Sequence, residues 1–189
     1  MKIQDGSGKG YEAKVDSNNR VHAKSVTISG SLDSIQNGQG FTINTGSITY
    51  TAAGTMLYIK NDSDQDLVLQ SLIFGLGQAT TSDSPEMTIV RGPTGGDLIT
   101  DQTEADMVQN RNFGSSELLN AETYKGKSGG TLTGGEDMGI VYLNTSARSV
   151  IPVDFILPKG ASVAVKLDPK LSSGSMKAYC AAIVYLRGE

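Results

Sequence analysis

The chain has 189 residues, a formal net charge of −4, 38% hydrophobic residues, 23 glycines, one cysteine and no tryptophan. A negative net charge argues against general nucleic-acid binding, which needs a concentrated positive surface, and a single cysteine excludes an intrachain disulfide framework. The length suits one domain with an appendage and allows a hydrophobic core that needs neither disulfides nor metals.

The first residues predict an arm. Residues 1–19 are rich in Gly, Ser, Asn and charged residues, and their apolar residues are isolated, so this segment cannot bury enough surface to fold alone. We predict an extended N-terminal arm with its linker over residues 1–40, in which 20–29 is a strand or an extended segment. The first 24 residues carry five basic and three acidic side chains, whereas the rest carries 11 basic and 17 acidic ones, so the arm is basic and the body acidic.

The predicted body, residues 41–189, begins with alternating apolar residues. This period of two predicts a hairpin over 41–50, with a turn at Asn44-Thr45-Gly46, and a second hairpin over 54–76, with a polar turn at 61–66. Gly75, inside the last strand of that pair, predicts a bulge or a close approach of another group. A short strand is predicted at 86–91.

The pattern is weakest over residues 97–137. A short helix is predicted within 115–124, with Ser115 or Ser116 as its N-cap. Alternation returns at 138–143, 150–157, 161–167 and 176–186, and each of these runs predicts a strand. The runs on either side of Pro158-Lys159-Gly160 predict a third hairpin, and Cys180 is expected to be a small core residue.

These predictions define the fold class. About eight short strands after residue 40, without a long amphipathic helix, predict an all-β protein: a β-sandwich of jelly-roll type preceded by the extended arm. Strand spacing does not determine topology, so an immunoglobulin-like sandwich is the alternative.

The motifs that could carry chemistry are incomplete. His22 is the single histidine and lies in the arm, so a catalytic triad would lack a held base, and one His with one Cys cannot form a structural zinc site. The sequence Asp62-Ser63-Asp64-Gln65-Asp66 begins like a calcium loop, but Leu67 and Ile73 replace the Gly and Glu that such a loop requires. A solvated turn is favoured there, with a weak nonstandard calcium site as the alternative.

Two other patterns lead to the same conclusion. Residues 121–128 end like a phosphate-binding loop but have Ala121 where the motif needs Gly. The carboxylates of residues 97–122 could form a glycosidase pair, but an acidic solvated loop is favoured. We therefore predict no enzyme, cofactor or metal. No apolar run reaches the roughly 20 residues that span a membrane, and the first residues lack the apolar core of a secretory signal, which predicts assembly in a cytoplasm.

Several short motifs resemble a known family. Its opening is matched by Asp5-Gly6-Ser7-Gly8, Ala13-Lys14-Val15-Asp16 and Asn19-Arg20-Val21-His22, and further matches are LYIKN at 57–61, NRNFGSS at 110–116, YKG at 124–126 and LPKGAS at 157–162. In these patches, spread over most of the chain, the sequence resembles a group of virion proteins of tailed bacteriophages.

The resemblance implies a capsid decoration or cement protein on the outer surface of the virion, assembled in the host cytoplasm. It implies a homotrimer whose partner is the major capsid protein, with no nucleic acid and no membrane bound. On this hypothesis the arm binds the capsid or a neighbouring subunit through Lys9, Tyr11, Lys14, Val15, Arg20 and His22. The alternative is a head-fibre base, tail or baseplate component that binds another virion protein or a host glycan.

Overall fold

The computed structural model describes residues 29–77, 84–143 and 148–187, and the backbone of three short strands before them. These strands are β1 (Ile3–Gln4), β2 (Glu12–Val15) and β3 (Val21–His22), which pair antiparallel in the order β1-β2-β3. The helix α1 (Gly30–Gln36) then leads into the body.

The body is a sandwich of two antiparallel sheets, which confirms the predicted all-β sandwich. Its elements, in chain order, are β4 (Gly40–Asn44), β5 (Ile48–Tyr50), β6 (Gly54–Asn61), β7 (Asp66–Leu76), β8 (Glu86–Arg91), α2 (Asp97–Thr100), β9 (Met107–Asn110), β10 (Ala121–Lys125), β11 (Glu136–Tyr142), β12 (Ser149–Leu157), β13 (Ser162–Asp168) and β14 (Met176–Arg187). One sheet has the order β10-β6-β13-β8-β11, and the other has the order β12-β7-β14-β4-β9, with β5 also paired to β14.

The main core lies between the sheets and is built from alternate residues of both. In β14, the side chains that face it are Met176, Ala178, Cys180, Ala182, Val184 and Leu186, all buried. Cys180 is fully buried with a free thiol, which confirms its predicted place in the core. A smaller cluster on the outer face of the first sheet packs Leu98 of α2 against Tyr58, Tyr124 and Ala164.

The strands pair in a nested order. β4 pairs with β14, β6 with β13, β7 with β12 and β8 with β11, so that the outermost strands of the chain are partners and the pairing proceeds inward. This is the pairing of one long antiparallel ribbon rolled into two sheets.

The nested order makes two of the three predicted hairpins wrong. β6 and β7 lie in different sheets, and so do β12 and β13. Alternation shows that one face of a strand is buried, but it is the same whether the next strand joins its own sheet or the facing one. The turns at 62–65 and 158–161 therefore cross between the sheets.

The predicted hairpin over 41–50 fails for another reason. β4 and β5 both pair with β14, one after the other, and are separated only by an irregular step at residues 45–47. Thr45 stays bonded across that step, since its backbone N–H donates to the Cys180 carbonyl at 3.0 Å. Gly46 supplies a φ of 67°, so the Asn-Thr-Gly sequence forms a kink along one edge of β14.

The helix predicted within 115–124 is absent from the described chain, where residues 111–120 are irregular and β10 follows. The Ser115 hydroxyl accepts from the Glu117 N–H at 3.1 Å, a local turn that competes with helix formation. A helix occurs instead in the expected linker, where the Ser29 side chain caps α1 by accepting from the Leu32 N–H. The Ser34 hydroxyl donates to the Leu186 carbonyl at 3.0 Å and ties α1 to β14.

Candidate protein-binding surfaces

The arm brings part of the predicted site together. Lys14 of β2 stands opposite His22 of β3, and Val15 stands opposite Val21. Lys9, Tyr11 and Arg20 lie outside the described residues. The backbone therefore clusters three of the six predicted residues on neighbouring strands.

A second surface is the loop between β9 and β10, residues 111–118, which we call the 111–118 loop. In this loop, Phe113 and Leu118 have relative solvent accessibilities of 97% and 87%. Behind them lies a groove of about 550 Å³, whose lining includes Phe41 and Val108. Phe113 and Leu118 also line this groove, so they form one apolar surface with it, and contiguous exposed apolar surfaces mark interaction sites.

Two asparagines hold this loop in place. The Asn110 amide donates to the Gly38 carbonyl at 2.6 Å and to the Glu117 carbonyl at 3.1 Å, and its oxygen accepts from the Asn112 N–H at 2.9 Å. The Asn112 amide donates to the Gln36 carbonyl, at the end of α1, at 3.1 Å. The loop is therefore fastened to α1 and is ordered before any partner arrives.

A third surface lies at the opposite edge of the sandwich, where β11 and β12 are the outermost strands of the two sheets. The large exposed apolar side chains of these strands are Met138, Ile140, Tyr142, Val150 and Ile156. Between the strands lies a cavity of about 350 Å³, the β11–β12 groove, lined by Arg91, Met138, Asp154, Phe155, Ile156, Leu157, Pro158, Ala161, Ser162 and Val163. Among the described strands, β11 pairs only with β8 and β12 only with β7, so within this part of the chain the other backbone edge of each is open to pairing.

Several charged groups of the body pair with one another, and the cluster around Lys60 is an example. The Lys60 ammonium lies 2.6 Å from Glu122 and 3.2 Å from Asp62, and the hydrogen bond to Glu122 is the main cause that raises the Lys60 pKa. Tyr124 stacks on Tyr58 with ring centroids 5.6 Å apart, and burial, followed by the charge of Glu122, raises the pKa of Tyr124 to about 12. At neutral pH this cluster holds a protonated lysine and a protonated tyrosine, neither of which can act as a base.

The aspartates of the calcium-like turn at 62–66 are paired with basic side chains of the protein itself. Its three aspartates pair with three different cations, as Asp62 contacts Lys60, Asp64 contacts Lys159 at 2.5 Å and Asp66 contacts Arg187 at 2.9 Å. Within the described ranges, no group of three or more His, Cys, Asp or Glu side chains could hold a metal ion. None of the helices described is long and apolar enough to cross a bilayer.

Comparison with known proteins yields little. No protein-family model and no curated protein matches the chain. Among solved structures, a chain from infectious bursal disease virus, in the "Structure of infectious bursal disease virus Gx strain", aligns with a TM-score of 0.29 and 12% identity. The alignment covers 79% of this chain and 31% of that one, and a TM-score this low carries no argument about fold or function.

The sequence predictions missed both surfaces on the body. Phe113 lies in one of the motifs that carry the phage resemblance, and it stands alone among Asn, Gly and Ser, a signal for an exposed anchor. Met138, Ile140 and Tyr142 alternate like core residues. Their exposure follows from the position of β11 at the end of its sheet, which strand order decides and periodicity does not.

Proposed function

We propose that the chain is a structural virion protein that binds the outer surface of a phage capsid and cements the shell as a homotrimer. The observation that carries this proposal is the 111–118 loop, an ordered segment with two fully presented apolar side chains. It contains all but the first residue of the NRNFGSS sequence at 110–116, through which the chain resembles tailed-phage virion proteins. A cement protein needs such preformed contact surfaces and needs no reaction chemistry.

The nested strand pairing is a second line of support for the proposal, since it concerns the fold. It is the order expected of a jelly roll, in which two Greek keys form eight strands, and viral capsid domains are among the proteins that use this architecture. β9 and β10 then extend the two sheets at one edge.

The proposed partner is the major capsid protein, contacted through the arm at Lys14, Val15 and His22, with Lys9, Tyr11 and Arg20. The arm is basic while the rest of the chain is acidic, so an acidic patch on the capsid would attract the arm and orient the body away. Each contact need only be modest, because copies that are linked to one another share their binding over many lattice sites.

The first experiment is gold labelling of purified virions with an antibody raised against this chain, viewed by electron microscopy. We expect label spread evenly over the head. Label confined to the tail or to one vertex would replace this function with that of a head-fibre base, tail or baseplate component.

A second experiment tests the arm. Deleting residues 1–24 should abolish coating of empty shells, and Lys14→Glu should weaken it, because both remove positive charge from the arm. The matched control is Lys177→Glu, which reverses an exposed lysine on β14 and should leave coating unchanged. Far-UV circular dichroism should show the same β spectrum for all variants, and normal coating by the truncated chain would refute the role of the arm.

A further inference from the structure

We infer that the 111–118 loop of one copy docks in the β11–β12 groove of the next copy, so that the protein assembles head-to-tail into a closed ring. This inference rests on the proposed homo-oligomer and names its interface. The described surface offers a projecting element at one edge and a receptor of matching chemistry at the other.

The projecting element is preorganised. Phe113 is 97% exposed, yet its backbone neighbours are fixed by the hydrogen bonds of Asn110 and Asn112. An aromatic side chain on a backbone that is already fixed has less conformational entropy to lose on binding than one on a flexible loop, and aromatic residues are frequent among those that dominate interface energies.

The receptor has an apolar lining and open edges. Met138, Ile156 and Leu157 line the groove, and its volume of about 350 Å³ admits one aromatic side chain with room to spare. β12 bulges beside it between Pro152 and Phe155, where Asp154 takes a φ of 49°. Aspartate is among the residues that adopt this left-handed conformation most readily, and the bulge sets Asp154 beside the groove.

The charges of the two elements are complementary. The loop carries one charge of each sign, Arg111 and Glu117, and the groove also carries one of each sign, Arg91 and Asp154. No salt bridge joins any of these four side chains to a charged group within the described parts of the chain. In a contact between two copies, Arg111 can pair with Asp154 while Glu117 pairs with Arg91. A partner surface that carried charges of one sign only could not satisfy both loop residues.

The positions of the two elements favour closure. The loop belongs to the β9 and β10 edge, and the groove belongs to the β11 and β12 edge, on the opposite side of both sheets. Both lie at the same end of the sandwich: Asn120, just after the loop, bonds Asp62 in one crossing turn, and the groove includes Pro158 and Ala161 of the other. Because donor and receptor lie at one level along the strands, successive copies are not displaced along the strand direction, which allows the head-to-tail contact to close into a ring such as the proposed homotrimer.

The test begins with molar mass in solution, measured by light scattering and sedimentation. The wild-type chain should form a closed oligomer, while Phe113→Asp and Met138→Arg should each be monomeric, with an assembly Kd raised by about 30-fold or more. Ile156→Arg serves as a second groove variant, and Leu32→Asp, which alters an exposed leucine on α1, is the matched control that should assemble normally. Thermal melts should confirm that every variant is folded.

A mixing experiment then distinguishes this interface from any symmetric one. Phe113→Asp retains an intact groove and Met138→Arg retains an intact loop, so an equimolar mixture has one working interface and should form a 1:1 dimer that grows no further. A monomeric wild-type chain, an oligomeric Phe113→Asp chain, or a mixture that stays monomeric would each overturn the inference. If the wild-type chain coats heads as a monomer, the inference and the proposed homotrimer both fail, while the proposed cementing of the capsid stands.

Discussion

At the scale of single residues, Asn61 shows how one residue can connect the two turns that cross between the sheets, at 62–65 and 158–161. It is fully buried, and its amide donates to the carbonyls of Gln65 and Leu157, each at 2.8 Å. Its side-chain oxygen accepts from the Ser63 N–H at 2.9 Å, and its backbone carbonyl accepts from the Gly160 N–H at 2.6 Å. The two turns are thus fastened to one residue.

We expect Asn61→Ala to lower the free energy of unfolding by about 2–4 kcal/mol, because it leaves buried backbone groups of both turns without partners. The measurement is urea unfolding followed by far-UV circular dichroism. Asn120→Ala is the control, since the Asn120 amide also donates to a backbone carbonyl, that of Asp62 at 3.1 Å, but is exposed. Equal losses for the two variants would contradict the role assigned to Asn61.

The type of structural role that Gly75 has was predictable from the sequence. Its place inside a strand indicated a bulge or a close approach, and the structure shows the second, because the Tyr179 ring on β14 occupies the space that a Gly75 side chain would need. The partner was not predictable, since Tyr179 is 104 residues away in sequence and only the pairing of β7 with β14 brings the two together.

At the scale of elements, α2 depends on a contact with the segment after β10. The Asp97 carboxylate accepts from the Thr131 hydroxyl at 2.6 Å and also from the Thr131 N–H, and it lies 3.3 Å from the Lys127 ammonium. The hydrogen bond from the Thr131 side chain, followed by the one from its backbone, lowers the pKa of Asp97 to about 2.

This contact predicts a pH dependence. Because the folded-state pKa is depressed, the contact stabilises the fold above the ordinary aspartate pKa of 3.8 and is lost as the pH falls toward 2. Asp97→Asn should flatten the change in unfolding midpoint between about pH 4 and pH 2. Thr131→Val, which removes the largest cause, should flatten it in part, and wild-type slopes in both variants would show that Asp97 does not control this titration.

The bounds of individual strands were predicted better than the strands with which they pair. The strands at 54–61 and 86–91 have the predicted bounds, because each is a short apolar run with clear turn residues at its ends. All three hairpins were wrong, since each described pairing in the body joins strands that are not consecutive in sequence. Of the proposed contact surfaces, the sequence indicated the arm through its composition and charge, and the resemblance added the capsid as its partner, whereas the loop and the groove depend on which strands lie at the edges.

At the scale of the whole molecule, both sheets share one main core. Leu57 of β6 and Leu69 of β7 come from different sheets, are each 1% exposed and belong to the same buried cluster. Neither sheet can keep its inner face dry without the other, so the sandwich should unfold as a single cooperative unit.

Leu57→Ala and Leu69→Ala should each lower the stability of one common transition by about 2–5 kcal/mol. Calorimetry and far-UV circular dichroism should give coincident curves for both variants. Val150→Ala, at a position 57% exposed, is the control and should change stability by less than about 0.5 kcal/mol. Two separate transitions would show that the sheets unfold independently.

The place of β14 has a consequence for biosynthesis. This strand is translated after all the other described strands, yet it lies in the middle of its sheet, between β7 and β4, and also pairs β5. Until it leaves the ribosome, β4, β5 and β7 have no common partner and expose unpaired strand edges, which are prone to aggregation. A chain that terminates before β14 would therefore lack the central strand of a sheet rather than an edge strand. Such a fragment would be prone to aggregate instead of folding as a smaller domain.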